Sequence, residues 1–132
     1  MHEAASDPAD RGTAVFRQLA AEDAPAPWET LADLAPAFGE QIRHLLGTVL
    51  GRPALDLRTR EIATVCVLAA LGGNEPQLTF HIGGALRAGA GPTEIVEALS
   101  QIGLYAGIPR ALNALEVARK VFADNGVTLR TE

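Results

Sequence analysis

Cysteine is almost absent. Cys66 is the one thiol in 132 residues, so the chain closes no intramolecular disulfide, forms no CxxC redox pair and supplies no multi-cysteine zinc site. Basic charge is in deficit: 11 Lys and Arg stand against 16 Asp and Glu, and the net charge of -5, with no Lys/Arg run, is the wrong sign for a phosphate-binding surface. Nucleic acid is therefore not an expected partner. Long apolar runs are missing too. The longest strongly apolar stretch, Ile62 to Leu71, falls far short of the roughly 20 residues that span a bilayer, and no membrane partner is expected. Met1 to Arg11 is acidic and Ala-rich where a signal peptide needs a basic start and an apolar run, so the expected location is the cytosol.

What remains is a chain with 48% apolar and 20% charged residues, a balance that folds. Its length suits one domain. Residues 1–12, small, polar and acidic, are expected to form a mobile tail, and residues 13–132 a single domain.

Helical spacing dominates that domain. Val15, Phe16 and Leu19 mark a short helix over Thr13 to Ala21, and Pro25 and Pro27 then impose an extended connector before Trp28. Pro36 opens a helix running to about Leu50, with Phe38, Ile42, Leu45, Leu46 and Val49 as its stripe. His44 falls at the edge of that face. Asp56 can cap the next helix, whose body from Ile62 to Leu71 is apolar at every position but Thr64. A helix apolar all round has to be surrounded by protein, which a chain this short barely manages alone, so self-association is expected. Further helices start at Pro76 and Pro92, and a last one after Pro109 runs to Asn125-Gly126. No stretch alternates with period two for long enough to be a strand. The fold class is all-α, with about six helices.

His81 is the most informative side chain. Leu78, Ile82, Ala85 and Leu86 surround it at helical offsets, which puts a titratable ring on a core-directed face, either as a hydrogen-bonded core histidine or as a general acid/base on a pocket floor. Glu61, at the start of the apolar helix, either compensates that helix's dipole or contacts His81 across a hairpin and sets the tautomer of the ring. Arg52, Arg58, Arg60, Arg87 and Arg110 sit near helix ends, where arginines cap helices or, with an anionic substrate, grip its carboxylates. Tyr105, between Gly103 and Gly107, either packs an interface or donates to a ligand. The three histidines, His2, His44 and His81, lack metal-ligand spacing, and no metal is expected. Glycine pairs lack the nucleotide-loop patterns, and neither Ser6 nor Ser100 has a GxSxG setting.

From about Gly47 to Phe122 the sequence resembles one family, the carboxymuconolactone decarboxylase and alkylhydroperoxidase AhpD-like proteins. The resemblance is carried by GRPALDLRTRE from Gly51, AALGGNEPQLTFHIGGAL from Ala69, EIVE from Glu94 and YAGIPRALNAL from Tyr105. It implies an all-helical subunit in a symmetric homo-oligomer, a hexamer or a trimer. Members of the peroxidase branch carry a CxxC pair at positions that are Asn74 and Gln77 here, and neither of these can attack a peroxide.

The decarboxylase branch is what the resemblance then implies, with a small carboxylic acid or lactone as substrate and no cofactor. In that reading His81 delivers the proton, Glu61 orients it, and Arg58 or Arg60 fixes an acidic group, with Tyr105 a further substrate contact. The chain departs from those decarboxylases at Gly47-Thr48-Val49-Leu50, where they read Gly-Glu-Val-Trp, and in a longer turn holding Pro76. Alternatives on the same scaffold are an isomerase, dehydratase or cyclase acting on a small carbonyl compound through the same histidine, and a non-catalytic oligomeric binding module.

Overall fold

A computed structural model describes residues 7–129, and His2 and Ser6 lie outside the described residues. Among these there are seven α-helices and no strand: α1 (Pro8–Leu19), α2 (Pro27–Thr30), α3 (Pro36–Leu45), α4 (Leu57–Leu71), α5 (Glu75–Arg87), α6 (Pro92–Ala106) and α7 (Ile108–Asp124). They group into two compact units, one ending at Leu57 and the other beginning at Arg58.

In the first unit α1 begins at Pro8, so residues 8–12 are helical where composition suggests a tail; residues 1–6 of that tail lie outside the described residues. The cause is local. Asp7 accepts from the Ala9 N–H at 3.2 Å, and Pro8 takes the position whose missing N–H costs nothing. Val15, Phe16 and Leu19 are buried as their spacing predicts. Gly12 and Gly47 bring two backbones together: a Cβ on Gly12 would lie 1.8 Å from the Arg43 carbonyl oxygen, and one on Gly47 1.8 Å from that of Pro8. The connector before Trp28 is not extended throughout, because Pro27 starts the one-turn α2, which sets Trp28 edge-on to Phe16 with ring centroids 5.3 Å apart. Residues 46–50, expected to continue α3, form a π-helical turn in which the Gly51 N–H reaches the Leu46 carbonyl at 3.1 Å. His44 is exposed rather than at the edge of a buried face.

The second unit carries the apolar helix. In α4 the buried positions are Glu61, Val65 and Ala69, one stripe at i, i+4 and i+8, while Val67 and Leu71 stay 57% and 64% exposed. Leu78, Ile82 and Ala85 of α5 face the same core as Ile95 and Leu99 of α6 and Ala114, Ala118 and Phe122 of α7. Ile82, Ile95 and Leu99 are essentially solvent-free, and each such side chain contributes about 1.5–3 kcal/mol of burial. Gly107, at φ +106°, makes the corner between α6 and α7. The α4–α5 turn at Gly72 and Gly73, both at φ +70°, sends α5 back across α4's buried stripe, and this places the site.

Candidate active site

His81 stands on α5 between the buried residues Leu78 and Ile82, with its side chain 22% exposed at the edge of the core. Glu61, one turn into α4, has a side chain with no exposed area at all. The two meet: His81 Nδ1 and Glu61 Oε2 are 2.8 Å apart. An ionised carboxylate can only accept, so Nδ1–H donates to it, and this turns Nε2 of the neutral ring into the atom left for a ligand. Phe80 packs edge-on against the imidazole, with centroids 5.0 Å apart. Among the described residues Oε1 of Glu61 is buried without a hydrogen-bond partner. A carboxylate in that position depends on a single donor, and His81 is that donor.

The other residues picked out by sequence are distributed differently. Arg58 forms an ion pair with Glu94, whose second oxygen accepts from the Gly91 N–H at 2.9 Å. The Gly91 N–H, with Arg58 next in importance, holds the Glu94 carboxyl below its ordinary range. Arg58 thus ties the first turn of α4 to the first turn of α6. Arg60 is half-buried next to Glu61 in sequence, and its carbonyl accepts from Thr64 Oγ1 at 2.9 Å. Tyr105 is 85% exposed at the end of α6 and makes no hydrogen bond or ring contact among the described residues. Glu94 is the partner that sequence reasoning did not assign. Its local signal, a Gly-Pro-Thr-Glu helix start, was visible, but the pairing with a residue 36 positions away was not. Burial raises the Cys66 thiol above its ordinary range, which suppresses the thiolate and its reactivity. Among the described residues no three His, Cys, Asp or Glu side chains converge to hold a metal ion, and no helix is long and apolar enough to cross a membrane.

The sequence profile of the Carboxymuconolactone decarboxylase family matches residues 36–120, a span that takes in Glu61, His81 and the helices holding them. The chain belongs to the carboxymuconolactone decarboxylase family. Its relatives include the 4-carboxymuconolactone decarboxylase of Acinetobacter baylyi, 36% identical over 100 residues that cover 75% of this chain and 74% of the relative. An uncharacterized 15.0 kDa protein of Paracoccus denitrificans is 34% identical over 97 residues, 73% of this chain and 71% of that protein. The nitrosuccinic acid decarboxylase of Metarhizium robertsii is 34% identical over 80 residues, 59% of this chain and 54% of that enzyme. For this family member, then, the resemblance read from GRPALDLRTRE and the His81 segment is upheld, together with the all-helical class.

Proposed function

We propose that this chain is a decarboxylase of a small acid whose carboxyl-bearing carbon can pass an electron pair into an attached electron-accepting group. The observation that carries the reading is the Glu61–His81 pair, a buried carboxylate whose one hydrogen bond among the described residues goes to the inner nitrogen of a partly exposed imidazole. The names of two relatives point the same way, since one describes a lactone acid and the other a nitro acid. Loss of CO2 from such an acid breaks the carbon–carboxyl bond, and its electron pair runs into the lactone carbonyl or nitro group. The resulting dienolate or nitronate then takes a proton on carbon. His81 supplies that proton from Nε2 once protonated, and Glu61 holds the ring in place and stabilises the imidazolium. No step asks for a redox or electron-sink cofactor.

Within this reading Arg58 or Arg60 grips the acidic end of the substrate; Arg58 also pairs with Glu94, and Arg60 stands beside Glu61 in sequence. The subunit works as a homo-oligomer in this reading. Val67 and Leu71 on α4, with Leu104, Tyr105, Ile108 and Leu112 around the α6–α7 corner, are all more than half exposed, more apolar surface than a lone subunit usually leaves in water. Tyr105 is accordingly read as part of that contact rather than as a substrate ligand. The test is CO2 release from 4-carboxymuconolactone and from nitrosuccinic acid by the purified protein. Release from either supports the reading; proton exchange into a carbonyl substrate with no CO2 would move the chain to the isomerase class.

A further inference from the structure

The row of side chains next to His81 is set by helical register. Gln77 lies four residues before His81, so the two share one face of α5, and residues four apart hold their Cβ atoms about 5–6 Å from each other; Asn74 is the N-cap just before that helix. Leu78 and Ile82 are turned into the core at 4% and 0% exposure, which leaves Gln77 and His81 along the core's rim. Gln77 is exposed, and neither it nor Asn74 makes a side-chain hydrogen bond among the described residues. That is unusual for Asn74. It occupies the N-cap of α5, where an asparagine ordinarily accepts from the first turn, yet no such bond is made. The acidic residue of the turn, Glu75, lies about 200° round the helix from Gln77. The start of α5 therefore carries two carboxamides with no side-chain bond among the described residues, and Glu75 is turned away from Gln77.

We propose that Gln77 holds the substrate's departing carboxylate; this rests on the reading of His81 as the catalytic group. A carboxamide donates two N–H groups without bringing a charge. For decarboxylation that distinction matters. The carboxylate loses its charge on the way to CO2, so an arginine clamp on the leaving group stabilises the ground state more than the transition state, whereas a neutral donor orients it at smaller cost to the barrier. The spacing fits as well: one helical turn between Gln77 and His81 matches the few ångströms between a departing carboxylate and a carbon that is protonated up to three bonds away. Arg58 or Arg60 then serves a second acidic group where the substrate has one.

The experiment follows the His81 ring resonances by NMR while the unreactive diacid glutarate is titrated into wild type, Gln77→Ala and Gln77→Glu. The expected result is a shift of the His81 ring on binding, a Kd raised about tenfold in Gln77→Ala and further in Gln77→Glu, where like charges oppose each other, with melting temperatures unchanged because the position is exposed. Equal Kd values in all three proteins, or glutarate that leaves the His81 ring unmoved in wild type, overturn the inference. CO2 release from 4-carboxymuconolactone by the same proteins separates the two claims. Release with the same KM in Gln77→Glu overturns the role of Gln77 and leaves the decarboxylase reading standing. No release from a wild type that binds glutarate through Gln77 overturns the decarboxylase reading and, with it, the departing-carboxylate role, leaving Gln77 as a carboxylate-binding residue only.

Discussion

Removing His81 should damage the fold more than neutralising Glu61, although the two share one hydrogen bond. Glu61 has no exposed area and one oxygen already lacks a partner among the described residues, so His81→Ala strands a carboxylate deep in the core without its one donor. Breaking a buried pair in this direction costs about 3–5 kcal/mol. The reverse change is mild. In Glu61→Gln the amide still meets Nδ1, and His81, 22% exposed, can turn to solvent, so the loss is about 1 kcal/mol or less. At roughly 3–5 °C per kcal/mol for a chain of this length, His81→Ala should melt on the order of 10 °C below Glu61→Gln. The double variant should regain most of the difference, because with the charge gone nothing is left stranded, giving a coupling of about 2 kcal/mol or more. Thermal melts and urea titrations of the four proteins at one concentration provide the cycle. Equal melting points for the single variants, or strict additivity in the double, would refute the idea of a stranded charge.

Glu94 makes the acid side of stability testable. Its folded carboxyl is held below the ordinary value of 4.5 by the Gly91 N–H and by Arg58, so its contribution is complete above that value and is lost as pH falls through the lowered one. Glu94→Gln should therefore flatten the decline in stability below pH 4.5, read from urea midpoints across pH. Cys66 should alkylate more slowly with iodoacetamide in the folded protein than in urea at the same pH, since burial raises its thiol; equal rates would contradict this. Gly12→Ala should destabilise the first unit by about 1–3 kcal/mol, because its methyl would press on the Arg43 carbonyl, and protease cleavage between Asp7 and Leu57 should speed up accordingly.

Much of this fold is legible in the sequence because its signals are local. Pro36, Pro76 and Pro92 do stand in the first turns of α3, α5 and α6, and the last helix ends at Asn125-Gly126 as read. The start of α1 was equally local, written in Asp7-Pro8, and was hidden by an acidic composition that suggests a tail. Other features depend on distant residues. The π-helical turn at Leu46–Leu50 lies where Gly12 and Gly47 bring two backbones into contact, and nothing in the apolar stripe from Phe38 to Val49 announces it. The candidate site divides in the same way. His81 stood out because a polar ring interrupts an apolar face, but its 2.8 Å contact with Glu61 depends on the register of the α4–α5 hairpin, which a spacing of 20 residues does not specify. Arg58, plausible as a substrate clamp from its place near a helix start, also pairs with Glu94 of another helix, which spacing does not announce.

The most direct test of the central claim is decarboxylation of 4-carboxymuconolactone in D2O by wild type and His81→Gln, with assembly mass checked for both. The account predicts CO2 release with one deuterium delivered to carbon in wild type, and a loss of about 10²–10⁴-fold in His81→Gln at unchanged assembly mass. Turnover that survives His81→Gln at the wild-type rate would contradict it.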